Sequence, residues 1–153
     1  MPDKLITTYQ KELPYLPNMQ GQADIITDDI SLLEKKKLYE FYTLADIGVA
    51  CSLHEEFGFV AIEMMMHALP LIVTETGGLD EIVEDNISGL KIPVETQDGK
   101  RQISAQFLSD KMEYLLTHPV EAKALGQNGR KRFLDKYELS LFKEKMLNLY
   151  QNI

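Results

Sequence analysis

The sequence predicts an α/β fold in which a parallel sheet is flanked by helices, and three features within residues 45–76 carry that prediction. Residues 47–51 form an apolar run with the length of a buried strand. Residues 59–68 are apolar except for Glu63 and His67, long enough for a helix, and Pro70 stops it. Residues 71–74, Leu-Ile-Val-Thr, then read as a second buried strand. A strand, turn, helix and strand within one crossover length imply that the two strands run parallel.

The other elements come in order. Residues 3–13 read as a short helix, broken up afterwards by Pro14, Pro17 and Gly21, and residues 23–27 as a short strand. Ser31 is an N-cap for a helix over 32–44, in which Leu38, Phe41 and Tyr42 fall at helical spacing. Lys35-Lys36-Lys37 reads as a solvated helix face, the alternative being a lysine beside an anionic ligand. Gly77-Gly78 turns into a short helix ending near Glu84, and Asp85-Asn86 with Gly89 makes a further turn. Residues 90–94 form a strand that Pro93 confines to an edge or an end. Residues 95–101 read as a polar loop. Helices are expected over 103–117 and 120–137, punctuated by Pro119, and over 140–153, where Leu141, Met146, Leu149 and Tyr150 supply an apolar stripe. No repeat or low-complexity segment interrupts this order.

Composition sets the class. The 153 residues suffice for one domain with a sizeable core, and 44% hydrophobic with 26% charged residues is an ordinary globular balance. A net charge of −8 argues against nucleic acid as a partner. No apolar run reaches membrane-spanning length, and the start shows no signal-peptide pattern, so a cytoplasmic location is expected. Cys51 is the only cysteine and reads as a buried strand-end residue in a reducing compartment. Neither Lys nor Arg occurs between Leu38 and Leu90, whereas Glu40, Asp46, Glu55, Glu56, Glu63, Glu75, Asp80, Glu81, Glu84 and Asp85 all fall there.

Glu63 is the residue that asks for a reason. A carboxylate buried without a partner costs several kcal/mol, so Glu63 either lies on a solvent-facing stripe or points at something with hydroxyls to donate. The turn before its helix favours the second. Gly58 lets the backbone approach a ligand, and the helix N-terminus presents free N–H groups. Glu55 stands in that turn, eight residues before Glu63. Both carboxylates are therefore expected on one crevice at the C-terminal edge of the strands, where open α/β sheets bind ligands.

The segment Glu55-Glu56-Phe57-Gly58-Phe59-Val60-Ala61-Ile62-Glu63 resembles the motif of two glutamates, with seven residues between them, of the retaining glycosyltransferases of family 4, also called group 1. Leu38-Tyr39-Glu40-Phe41-Tyr42 with Ala45-Asp46 is similar to the family's entry into the motif. Leu69-Pro70-Leu71-Ile72-Val73-Thr74, Gly77-Gly78-Leu79-Asp80-Glu81-Ile82-Val83 and Asp85-Asn86-Ile87-Ser88-Gly89 resemble the family's segments on the C-terminal side of the motif. The likeness runs from about residue 33 to the C-terminus.

That resemblance implies a Rossmann-like sheet, the C-terminal domain of the GT-B fold. It implies transfer of a sugar, with retention of configuration, from a nucleotide-diphosphate sugar to an acceptor such as a growing glycan or lipid-linked saccharide. The donor is a substrate, and no cofactor is implied. Glu55 would be the catalytic residue, accepting hydroxyls of the transferred sugar and stabilising positive charge at its anomeric carbon. Glu63 would accept the ribose hydroxyls, and Phe57, Gly58, Phe59 and Val60 would contact the donor through backbone N–H groups. The location implied is cytoplasmic, including the inner face of the membrane.

The chain also departs from the family. Nothing in the poorly matched residues 1–22 resembles the first strands or the Arg and Lys segments that hold the donor diphosphate, and the N-terminal acceptor domain has no counterpart. The expectation is a single truncated donor domain, 1–153, closed by helices over 103–153, which needs that domain or a partner chain and is inactive alone. A non-catalytic binding or assembly module is the alternative. Ala68 stands where the family has Gly, Met64 and Met66 replace small residues, Cys51 replaces Pro, and Glu56 replaces Gly or Pro.

Other chemistries rank lower. The acids could serve a glycoside hydrolase, though hydrolytic acids need not share one helix start. A metal on His54, Glu55, Glu56 and His67 is conceivable, but His67 reads better as capping or packing at the helix end. No Asp-x-Asp, Walker or Gly-x-Gly-x-x-Gly motif supports metal-dependent transfer, an ATPase or a dehydrogenase.

An uncovered apolar stripe over 140–153 and an open sheet edge predict self-association into a two-fold homodimer. Light scattering at micromolar concentration should give the dimer mass; a monomer mass would refute it.

Overall fold

The computed structural model describes residues 35–151. The chain divides into two units between Leu33 and Glu34, and every described element belongs to the second. The helix expected at 3–13, the strand at 23–27 and the N-cap Ser31 lie outside the described residues, as do the side chains of Lys35-Lys36-Lys37.

Helix α1 (Lys35–Leu44) leads into strand β1 (Gly48–Ala50), helix α2 (Phe59–Met66) returns, and strand β2 (Leu71–Thr74) lies beside β1. Helix α3 (Gly77–Ile82) leads to strand β3 (Leu90–Ile92). The strands form a parallel sheet in the order β1-β2-β3, with Val49 opposite Ile72 and Val73 opposite Lys91. This is the expected α/β architecture.

Strand alternation divides the core in two. β2 is buried at all four positions, as a strand covered on both faces must be. Leu71 and Val73 pack with Ala61, Met64 and Met65 of α2 and with Leu79 and Ile82 of α3. Ile72 points the other way, to Leu90, Ile92, Leu115, Ala122 and Leu125. Helices α4 (Ala105–Thr117) and α5 (Pro119–Lys136) supply the last three of these. The sheet is thus a middle layer. Cys51 packs half-buried beside the second cluster, and burial pushes its thiol pKa up.

α2 ends in a Schellman motif, with the Ala68 amide on the Met65 carbonyl and the Leu69 amide on that of Met64. Ala68 takes the left-handed position at φ 57°. That is the conformation glycine adopts freely, so Ala68 carries strain of about 1–2 kcal/mol that a glycine would not. α5 seals this end of the sheet. Its Arg130 donates to the Met66 carbonyl, and a Cβ at Gly126 would stand 2.1 Å from the Ala68 carbonyl oxygen.

Residues 95–101, read from sequence as a polar loop, are not a loop. Strands β4 (Val94–Gln97) and β5 (Lys100–Ile103) pair antiparallel around Asp98-Gly99, whose φ values of 50° and 74° suit a two-residue hairpin turn. Both strands are largely exposed, so no apolar alternation marks them. Pro93 ends β3, as expected, and the hairpin begins at once at the sheet's carboxyl edge.

Helix α6 (Leu139–Gln151) has no buried residue. Of the stripe read from sequence, Leu141 and Met146 are half-buried, and Leu149 and Tyr150 are exposed, together with Leu139, Phe142 and Leu147. No helix among the described residues is long and apolar enough to cross a membrane.

Gly126→Ala separates propensity from packing. Alanine would favour the helix by about 1 kcal/mol, but its methyl would meet the Ala68 backbone, an overpacking cost of roughly 1–3 kcal/mol. Net destabilisation, read as a lower urea midpoint, is expected; a raised midpoint would show that α5 does not press on that connection.

Candidate functional site

The turn after β1 is held by the end of β2. The buried Thr74 hydroxyl donates to the Ser52 carbonyl at 2.6 Å, and the Thr76 hydroxyl donates to that of Leu53 at 3.3 Å. The Gly78 amide then donates to the Glu55 carbonyl at 3.0 Å. A Cβ at Gly77 would lie 1.8 Å from that oxygen, and one at Gly78 would lie 2.0 Å from the Phe57 carbonyl oxygen. Only glycines allow the turn to rest on the start of α3.

Within the turn, the Glu55 carboxylate accepts the Gly58 amide on Oε1 at 3.1 Å and the Ser52 hydroxyl on Oε2 at 3.5 Å. It therefore sits over the first residues of α2, where negative charge is favoured. Gly58 is the N-cap of α2 at φ 93° and is buried, and a Cβ there would lie 2.9 Å from Leu79 Cδ2. The sequence reading assigned this glycine to ligand approach. Its conformation and its packing under Leu79 account for it, and its N–H is already engaged by Glu55. The Phe59 and Val60 amides belong to the first turn, whose N–H groups a helix leaves without internal partners. Phe57, Phe59 and Val60 are exposed, and the two phenyl rings lie 4.6 Å apart beside Glu55.

Glu63 stands one turn further along α2, half-buried, and its Oε2 accepts the Tyr42 hydroxyl at 3.3 Å. Tyr42 is only 9% exposed. Its pKa is pushed up to about 12, by burial first and then by the neighbouring Glu63 charge, so the phenol is a donor at neutral pH. Around it pack the rings of Tyr39 and His67, the latter centred 5.7 Å away. His67 is the C-cap of α2 and packs there, as read from sequence. Burial and then the Arg130 guanidinium hold its pKa below the ordinary value, and its buried Nε2 has no partner among the described residues. The lone acid of the helix thus has a hydroxyl donor within the fold, which the sequence did not reveal. Tyr42 was legible only as a helix-spaced core residue.

Glu55 and Glu63 share the start of α2 and are held from different sides, Glu55 by its own turn and Glu63 by α1. His54 precedes α2 and His67 closes it, so a helix of about 12 Å separates the two imidazoles of the metal reading. Among the described residues no cluster of three His, Cys, Asp or Glu side chains could hold a metal. A surface groove lined by Ala105, Leu108, Met112 and Leu116 runs along α4, on the opposite side of the sheet.

One expectation is corrected. The acidic stretch was read as lacking a cation, but the hairpin brings one. Arg101 of β5 donates from Nη2 to the Thr76 hydroxyl and from Nη1 to His54 Nδ1, each at 3.0 Å. A separation of 47 residues from His54, across a hairpin without apolar alternation, leaves no local pattern for this contact.

Comparison with known proteins agrees with the family resemblance. The family described as glycosyl transferases group 1 matches residues 22–132. Sucrose synthase 1 of Hordeum vulgare is 34% identical over 132 residues, 86% of this chain and 16% of that protein. The structure of sucrose-phosphate synthase from Thermosynechococcus elongatus superposes with a TM-score of 0.68 at 26% identity, covering 97% of this chain and 33% of that one. HepE from Anabaena, solved in complex with UDP-glucose, gives 0.63 at 15% identity over 98% of this chain and 36% of its own, a likeness of fold. The chain spans about a third or less of the length of these proteins.

Proposed function

Because the chain belongs to the group 1 glycosyltransferases, we infer that it binds a nucleotide-diphosphate sugar at the start of α2 and serves its transfer, with retention, to a saccharide acceptor. The observation that carries this reading is the presence of two carboxyl groups about one helix start, each already oriented by a donor, Gly58 for Glu55 and Tyr42 for Glu63.

Each has capacity to spare. A carboxylate offers about four acceptor sites, and the Tyr42 hydroxyl engages Glu63 once, so the ribose hydroxyls can take the others. Glu55 faces sugar hydroxyls in the same way. As the bond from the anomeric carbon to the diphosphate lengthens, positive charge grows on that carbon, and a fixed carboxylate stabilises it more than the ground state. The leaving diphosphate would help to deprotonate the acceptor. Its negative charge favours the helix start, where the Phe59 and Val60 amides point. Phe57 and Phe59 offer an apolar wall against a sugar or base face.

That HepE is solved with UDP-glucose supports a nucleotide sugar as ligand. The acceptor-binding domain, or a partner chain supplying it, completes the enzyme in this reading. The exposed apolar face of α6 favours a second reading, an assembly module whose α6 packs against a second copy.

Glu63→Gln should cost roughly 1–3 kcal/mol of donor binding, since it removes the charge facing the ribose. Tyr42→Phe should weaken the same affinity by roughly 1 kcal/mol by freeing the carboxylate. Glu55→Gln should act on turnover with donor affinity largely kept. Calorimetry with UDP-glucose and GDP-mannose, and turnover in the assembled enzyme, measure these effects; unchanged affinity in both Glu63→Gln and Tyr42→Phe would refute the ribose role.

A further inference from the structure

Arg101 has a feature that tethering the hairpin does not explain. Its guanidinium is half-buried at the carboxyl edge of the sheet, and its partners are Thr76 Oγ1 and His54 Nδ1, neither of them a carboxylate. Carboxylates are near along the chain: Glu55 and Glu56 come directly after His54, and Glu75 precedes Thr76. Yet the ion pairs among the described residues are Lys91–Asp80, Lys131–Asp135 and Arg132–Glu84, and none involves Arg101. Arg132, which fastens α5 to α3, does so on the carbonyls of Ile82 and Glu81 and the carboxylate of Glu84. Held by a hydroxyl and an imidazole nitrogen, Arg101 is fixed in place while no carboxylate among the described residues pairs with its charge. Further N–H donors of the planar fork remain, in the geometry that suits phosphate oxygens.

We propose that Arg101 is the cation of a phosphate-binding site on the turn after β1, where it takes an oxygen of the donor diphosphate. The β4–β5 hairpin is then part of the donor site. The proposal rests on the donor-binding reading, and it answers a difficulty within it. A diphosphate brought to Glu55, Glu56 and Glu75 meets like charge, and Arg101 offsets that repulsion where the sequence between Leu38 and Leu90 supplies no Lys or Arg.

Calorimetry on the full chain, with UDP, GDP, their nucleosides uridine and guanosine, and inorganic pyrophosphate, separates the possibilities. In Arg101→Gln, which can still donate to Thr76, affinity for the diphosphates and pyrophosphate should fall roughly tenfold or more, with nucleoside affinity and thermal midpoint unchanged. Arg101→Lys should recover part of the loss. Equal diphosphate affinity in Arg101→Gln and wild type overturns the proposal and leaves the donor reading standing. An equal loss for nucleosides and diphosphates, or a lowered thermal midpoint accounting for it, assigns Arg101 to tethering and also overturns it. Arg101-dependent binding of pyrophosphate with no binding of UDP or GDP upholds the phosphate site and overturns the donor reading. Binding of none of these by wild type overturns both.

Discussion

The site depends on how the turn after β1 is seated against the end of β2. Thr74 and Thr76 hold the carbonyls of Ser52 and Leu53, and Gly77-Gly78 let the Glu55 and Phe57 backbone come down onto the start of α3. Each such hydrogen bond is worth only about 1 kcal/mol net. Leaving the polar groups buried and unpaired would cost more, so the seating is specific rather than merely favourable. It sets where Glu55 points, where α2 begins, and, through Thr76 and His54, where Arg101 is anchored.

The two carboxylates are oriented by different means. Glu55 is held locally, by an amide and a hydroxyl within its own turn. Glu63 is held at long range, by a buried phenol on α1 that burial and the carboxylate itself keep protonated. The local arrangement survives wherever the turn forms, whereas the second requires α1 to be packed on α2. Docking of α1 thereby bears on Glu63, and seating of the turn on Glu55.

What the sequence made legible was whatever leaves a local pattern. The fully buried β2, the helix broken at Pro70 and the Gly77-Gly78 turn all show as apolar runs or punctuation, and all are present. Glu55 and Glu63 stood out because acids are rare on such a helix. The hairpin did not show, because its strands are exposed and lack apolar alternation, and Asp98-Gly99 is its sole local signal. Tyr42 and Arg101 act across 21 and 47 residues, and no local pattern reports such distances. Gly58 has a structural reason that no sequence pattern displays. Its left-handed φ and the side chain of Leu79 require it, and a sequence does not distinguish that from room for a ligand.

The most direct measurement is a crystal structure of the chain with whichever of UDP and GDP binds it more tightly. Ribose hydroxyls within hydrogen-bond distance of Glu63, and the phosphates beside the start of α2, are the predicted result. A nucleotide seated in the α4 groove, with Glu63 still engaged by Tyr42 alone, would contradict it.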